Sequence, residues 1–309
     1  MNSSEKVKTK NLNGVEANGH SEKGKRIDVL KTYKIYIDGK FPRTESGRYY
    51  VLKNKAGTVL ANICQSSRKD FREAVVAARK AQHGWASRSA YNKGQILYRI
   101  AEMLEGRRAQ FISELVEQGL STSKAAAEVD LSVDRLVYYA GWSDKYQQVY
   151  SSVNPVESSH FNFSLPEATG VVSILSPENY GLIGLVSVIA PAIVGGNTVV
   201  VLASSEKPLC AVTFAEVLHS SDVPGGVVNI LTGHRAELLP YFSSHMDVNA
   251  CIYCGDEAAD IKKIQENASL NVKRPIFYKK DDWMDENSHS PYRIMDLQEI
   301  KTTWHPIGQ

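Results

Sequence analysis

Cysteine is scarce in this chain: Cys64, Cys210, Cys251 and Cys254 are the only four in 309 residues. So few, without a paired framework, exclude a disulfide-stapled secreted fold and make a reducing cytoplasm the expected setting. An excess of either charge is also missing. Lys and Arg number 36 against 34 Asp and Glu, for a net charge of +2. That balance gives no footprint for nucleic acid or an anionic membrane surface. No apolar run reaches membrane-spanning length. The most apolar stretch, Gly181 to Val194, is interrupted by Pro191 and reads as a buried helix. The polar N-terminus has no apolar core of a secretory signal. The eight histidines show no metal-ligand spacing such as H-E-x-x-H, so no metal is expected.

What is present is ordinary globular composition, 43% hydrophobic and 23% charged, long enough for a sizeable core. Residues 1–31 are Lys-, Glu-, Asn-, Ser- and Gly-rich and read as a disordered tail, because they carry too little apolar surface to offset ordering entropy. Tyr33 to Ile37 is a short β-rich run. Asp38-Gly39 is a hairpin signal, with Arg48 to Val51 returning along the first strand. A second pair, Tyr50 to Asn54 and Val59 to Cys64, flanks Lys55-Ala56-Gly57. Three helical stretches follow. The first carries Phe71, Val75 and Ala78 and ends at Trp85. The second is one long helix through Ile96, Ile100 and Leu104 to about Glu117. The third runs from Ser123 to about Tyr146. His160 to Leu165 alternates with period two.

From Gly170 onward strands and helices alternate. Strands are expected at Val171–Leu175, Thr198–Leu202, Gly226–Leu231, Ala250–Tyr253 and Arg274–Phe277. Helices are expected at Gly181–Val194, Pro208–Leu218, Glu237–Ser244 and Glu257–Ala268. Such alternation demands crossovers and predicts an α/β fold: a Rossmann-like parallel sheet with helices on both faces.

A series of motifs over the same region carries a family resemblance. Pro166-Glu167-Ala168-Thr169-Gly170-Val171-Val172 enters the first strand. Ser176-Pro177-Glu178-Asn179-Tyr180 is similar to T-P-W-N-[FY]. Ala190 to Val200 is similar to A-P-A-L-A-x-G-N-T-V-V, and Pro224 to Gly233 to P-x-G-V-V-N-x-x-x-G. Ser244-His245-Met246-Asp247-Val248 follows S-H-x-D-[VI], and Tyr138-Tyr139-Ala140-Gly141-Trp142 follows Y-Y-A-G-W. In this order they resemble the aldehyde dehydrogenase superfamily. The chain is similar to the short degenerate C-terminal half of its tandem members.

That resemblance implies a thiolate nucleophile, an asparagine oxyanion hole, a glutamate base and NAD or NADP across the strand ends. Matched residue by residue, Ser176, Pro177, Asn179, Glu206, Gly233 and Gly255 fall at cofactor-side positions. Asn179 falls on the oxyanion asparagine, but with no nucleophile nearby it reads rather as a cap of the following helix. Glu206 falls on the ribose carboxylate, and equally reads as a helix-terminal one. The departures are many. Arg235 and Leu239 stand where the family carries glycines, with Arg235 read as a solvated surface side chain rather than as a phosphate partner. Asp256 and Glu257 stand at a helix N-terminus that would otherwise receive pyrophosphate, with Asp256 read as its N-cap. Tyr278 stands at the general-base position, where a phenol is a poor base. Cys251-x-x-Cys254 suggests a redox or zinc pair, yet no second pair accompanies it, and two ordinary near-strand cysteines fit better.

About twenty residues beyond Arg274–Phe277, Leu297 to Trp304 resembles the family's final strand. The resemblance therefore implies a dinucleotide-type domain over 32–150 and 167–282. It implies a β oligomerisation arm over 151–166 and 293–309, and an absent catalytic domain. The expected function is a non-catalytic subunit, a pseudoenzyme. Its expected partner is a full-length aldehyde dehydrogenase, or the chain itself, met through His160–Leu165 and Glu299–Trp304. Cofactor binding is expected to be weak or absent. The alternatives are an NAD(P)-dependent aldehyde dehydrogenase in its own right, or a dinucleotide-binding scaffold without chemistry.

Overall fold

The structure, a computed structural model, describes residues 29–308. The expected disordered tail therefore lies outside the described residues except for its last three. Lys31 is already engaged, its carbonyl accepting from Asn62 N at 3.1 Å. The elements run β1 (Thr32–Tyr33), β2 (Tyr49–Lys53), β3 (Val59–Cys64), α1 (Arg68–Ala86), α2 (Ala90–Glu105), α3 (Arg108–Glu117), α4 (Thr122–Trp142) and α5 (Tyr146–Tyr150). They continue with β4 (Ser152–Asn154), β5 (His160–Ala168), β6 (Val171–Leu175), α6 (Ile183–Val194), β7 (Thr198–Leu202), α7 (Leu209–His219), β8 (Val228–Leu231) and α8 (Arg235–Ser244). The last are β9 (Ala250–Tyr253), α9 (Ala258–Ser269), β10 (Arg274–Phe277), α10 (Tyr292–Met295) and β11 (Gln298–Pro306).

The central sheet is five-stranded and parallel in the order β10-β9-β6-β7-β8. Every residue of β6, β7, β8 and β9 is buried, as expected of strands covered on both faces. Helix α6 is buried on every side, Pro191 included, and separates the sheet from α4.

Two local expectations are corrected. Asp38-Gly39 does form a tight turn, with φ of 53° and 72° and paired bonds between Ile37 and Lys40. The chain after it does not return along Tyr33–Ile37. β1 pairs parallel with β3, and Tyr36 bridges Ile230 on the free edge of β8, where open backbone groups need a partner. The single long helix through Ile100 to Glu117 is two helices. Gly106 caps α2, Arg107 N turns back onto Leu104 O, and the Arg107 side chain pairs with Glu216 of α7 at 2.8 Å.

A separate antiparallel sheet has the order β11-β5-β4, with β11 on its outer edge along nine paired positions. The segment 278–297 that joins β10 to it is folded down onto the core. Arg293 packs against the rings of both Tyr278 and Trp283, 4.4 and 4.7 Å from their centroids, and pairs with Asp281 at 2.8 Å. Buried Arg135 of α4 donates to Ser187 Oγ, to Trp283 O and to Asp285 O, tying the segment to α4 and α6. Truncating Arg293 to alanine removes two ring contacts and a largely buried ion pair. The expected loss is about 2 kcal/mol, with 278–297 becoming the first site of limited proteolysis. A melting curve and a protease time course check both.

Candidate functional site

In an open parallel sheet the natural crevice lies at the carboxyl ends of the strands, where strand order reverses. Here that point lies between β6 and β9, because β6 continues to β7 on one side and meets β9 on the other. Ser176 and Pro177 leave β6 at this point. Ser176 is buried and donates from Oγ to Leu202 O at 2.7 Å. Pro177 packs against the first turn of α6 so closely that a Cβ at Gly184 would meet its ring at 2.9 Å. Both residues are spent on packing.

Arg235, read from sequence as a solvated surface side chain, is not one. Its guanidinium reaches back from the start of α8 across the sheet end. It donates to Ser176 O after β6 and to Cys254 O after β9, lies 5.3 Å from the Tyr253 ring centroid, and pairs with Glu178 at 3.3 Å. The two side chains are only 17% and 24% exposed. Glu178 in turn accepts from Ser205 N at 2.7 Å and Ser205 Oγ at 3.1 Å, fastening the β7–α7 loop. Carbonyls at strand ends need partners, and a planar fork of donors supplies them. The chain's own cation and carboxylate thus stand at the carboxyl ends of β6 and β9. Nothing in its local pattern distinguishes Arg235 from any helix-start arginine, so its role was not legible from sequence.

The other expected positions are dispersed or spent. Asn179 is exposed, and its backbone oxygen accepts from Lys207 Nζ. It does not cap α6. The buried carboxylate of Glu128, from α4, takes that role, with Oε1 accepting from Leu182 N at 2.8 Å and Ile183 N at 3.2 Å. Burial holds Glu128 above the ordinary carboxylate range. Its signal was present in sequence: Glu128 and Arg135 lie on the same helical stripe as Ala125, Val129, Leu136 and Tyr139. Asn179, Lys207, Lys124 and Glu128 face one cleft of about 820 Å³. Glu206 is exposed on the loop after β7, and its carboxylate makes no bond among the described residues.

Gly233 has a φ of 153°, and a Cβ there would lie 3.3 Å from Ser66 N. At Gly255 a Cβ would meet the Tyr253 ring at 2.8 Å. Both glycines are explained by packing. Asp256 is not the N-cap of α9: Glu257 occupies that position without a side-chain bond, and Asp256 lies 3.8 Å from Lys280. Tyr278 donates to Asp296 at 2.9 Å, and burial beside that carboxylate pushes its pKa well above the ordinary phenol value. It cannot take up a proton at neutral pH. Lys273 is buried and donates to Ser243 O and His245 O at the end of α8.

All four cysteines are buried and free. Burial pushes Cys254 up to about 12 and raises Cys210 and Cys251 as well, so none of these three is held as a thiolate. Among the described residues no three His, Cys, Asp or Glu side chains gather to hold a metal, and no helix is long and apolar enough to cross a membrane.

A doubly covered parallel sheet with its crevice at the β6/β9 reversal defines a dinucleotide-type α/β protein. The chain belongs to the aldehyde dehydrogenase family, whose model matches residues 41–277. It is 32% identical over 248 residues to cytosolic aldehyde dehydrogenase 1 of Elephantulus edwardii, covering 78% of this chain and 49% of that one. It is 31% identical over 252 residues to retinal dehydrogenase 2 of Mus musculus (79% and 48%), and 30% identical over 250 residues to omega-crystallin of Enteroctopus dofleini (79% and 50%). A variant of aldehyde dehydrogenase from Bacillus cereus superposes with a TM-score of 0.77 at 25% identity, covering 81% of this chain and 51% of that one. The NAD+ complex of aldehyde dehydrogenase from Bacillus cereus has the same fold, with a TM-score of 0.76 at 24% identity over 81% and 51%. The chain spans about half the length of these relatives.

Proposed function

We propose that this chain is a non-catalytic member of the family, similar to the degenerate C-terminal half of tandem aldehyde dehydrogenases. It assembles with a full-length aldehyde dehydrogenase or with its own copies. The observation that carries the reading is the Arg235–Glu178 pair in the crevice, which leaves NAD or NADP a weak ligand at best. The Asp256 and Glu257 carboxylates beside α9 add repulsion for a pyrophosphate. Tyr278, tied to Asp296, supplies no base, and no cysteine reaches the surface.

Assembly through His160–Leu165 and Glu299–Trp304 is supported by the shape of the small sheet. β5 turns Asn162 and Ser164 inward and leaves Phe161 44% and Leu165 39% exposed. On β11, Ile300 is 56% and Trp304 57% exposed. An outer strand with open backbone groups and uncovered apolar side chains is a template for pairing.

Mixing this chain with a full-length aldehyde dehydrogenase is expected to give a co-eluting complex on sizing, with Trp304→Glu abolishing it while the fold persists. The isolated chain is expected to produce no NADH from a panel of aldehydes. Separate elution of the two proteins, with this chain also monomeric by light scattering, would defeat the assembly reading. Turnover lost in Cys251→Ser or Cys254→Ser would restore the rival one, an NAD(P)-dependent aldehyde dehydrogenase. A dinucleotide-binding scaffold is favoured only by the exposed Asn179 amide and Glu206 carboxylate.

A further inference from the structure

Among the described residues the backbone of β11 is paired on one side only, against β5. Thr169 N donates to Leu297 O at 3.2 Å and Ile307 N to Ser159 O at 3.0 Å, so the residues bonded to β5 at both ends are odd-numbered. An antiparallel ladder bonds every second residue, and the nine pairs between these ends run in unbroken register. The N–H and C=O groups of Ile300, Thr302 and Trp304 therefore point to the open edge. Pro306 follows them at that edge, where a residue without an N–H is tolerated. Every residue from Glu299 to Pro306 is exposed, whereas Gln298 is anchored in the body by its bond to Gly195 O at 3.1 Å.

The side chains along this edge are arranged symmetrically about Thr302. Ile300 and Trp304 lie equally far to either side of it, and so do Glu299 and His305. Two antiparallel copies of β11 centred on Thr302 set Thr302 opposite Thr302, Ile300 opposite Trp304 and Glu299 opposite His305 of the second copy. The first two pairings join the open N–H and C=O groups and cover apolar side chains on one face. The third sets a carboxylate beside an imidazole on the other face. Glu299 uses Oε1 for Arg274, at 2.8 Å, and leaves Oε2 without a bond among the described residues. Moving the centre to Lys301 sets that ammonium against its own copy, and moving it to Thr303 sets Ile300 opposite Pro306, which has no N–H. A shift of half a step faces open groups with groups already bonded to β5. The antiparallel sense also keeps the two bodies apart. Gln298 of each copy then stands at opposite ends of a nine-residue strand roughly 27 Å long.

We propose that β11 pairs with β11 of a second copy of this chain, antiparallel and centred on Thr302, joining two three-stranded sheets into one of six strands. The pairing rests on the assembly reading of this arm and names its partner and register. A single strand edge is a small interface beside the roughly 1,200 Å² at the low end of stable ones, so the dimer is weak and its population follows concentration.

Sedimentation equilibrium of the full chain, over roughly a hundredfold range of concentration, is expected to show monomer passing into dimer. Thr302→Pro removes an open N–H and keeps every backbone bond between β11 and β5. It is expected to leave a monomer with little change in melting temperature. Oxidative cross-linking reads the register. Thr302→Cys brings two thiols across the two-fold axis with Cα atoms ~5.5 Å apart, within disulfide range, whereas Lys301→Cys and Thr303→Cys leave them a diagonal step apart, roughly 7–8 Å. The native cysteines are buried and do not compete. Thr302→Cys is expected to cross-link several times faster than either of the others. A chain that stays monomeric throughout overturns the proposal. So does a dimer that survives in folded Thr302→Pro, or one that cross-links fastest at Lys301→Cys or Thr303→Cys. The wild-type and cross-linking results decide should Thr302→Pro misfold. A monomeric chain that still co-elutes with a full-length aldehyde dehydrogenase overturns this pairing alone and leaves the assembly reading standing.

Discussion

Glu128→Ala is expected to lower stability by about 3 kcal/mol. The carboxylate bonds two backbone N–H groups at the start of α6, and α6 has no other cap. Because α6 is buried throughout, water cannot replace the lost acceptor without opening the α4/α6 interface. Glu128→Gln keeps an acceptor and is expected to cost about 1 kcal/mol. Denaturant titrations of both variants measure the difference. The pH dependence has a definite sign. Burial raises the folded-state pKa of Glu128 above its ordinary 4.5, so the folded state holds the proton longer than the unfolded one. Its contribution is complete below that value and declines as pH rises through the folded-state pKa. The wild type's margin over Glu128→Gln should therefore be widest in acid and shrink toward neutrality. A margin that instead grows with pH would show an ionised cap with a depressed pKa, contrary to its burial.

Arg235→Ala is expected to do two opposite things. Stability should fall by about 2 kcal/mol, since Glu178 loses its ion-pair partner and the carbonyls of Ser176 and Cys254 lose their shared donor. That figure is discounted from a fully buried pair because both side chains retain some water. Dinucleotide affinity should rise by roughly tenfold, about 1.4 kcal/mol, because the crevice is emptied of a side chain. Calorimetric titration with NAD+ reads the second effect. Its direction separates two roles: a plug gives tighter binding in the variant, and an arginine that grips pyrophosphate gives weaker binding. Adding Asp256→Asn and Glu257→Gln should strengthen binding further by removing two carboxylates from the start of α9. Weaker binding in Arg235→Ala than in wild type would remove the main support for the non-catalytic reading.

These outcomes turn on features unequally visible in the sequence. The alternation from Gly170 to Phe277 is legible because a strand buried on both faces must be continuously apolar. Val171–Leu175, Thr198–Leu202 and Ala250–Tyr253 fall where that pattern predicts, and half-buried Arg274–Phe277 forms the edge strand. The break at Gly106 and the β1–β3 pairing were not legible. The first depends on Arg107 finding Glu216 on α7, and the second on β3 offering a parallel edge. Asp256 and Glu257 illustrate the same limit at the scale of one residue. Either could cap α9, and backbone geometry, not residue type, placed Glu257 at the boundary.

The site divides the same way. That Tyr278 matches the family's base position, and Arg235 a glycine, is what the resemblance implies, and residue identity in one chain suffices to read it. Residue identity also gave the parallel α/β fold, because the period of apolar side chains is a local property. Only the tertiary structure decided that Arg235 spans from α8 to the ends of β6 and β9, and that Glu128 and not Asn179 caps α6. Each of those depends on which distant backbone or charge lies within a few ångströms. Such proximity is set by how the layers pack and leaves no trace in neighbouring sequence.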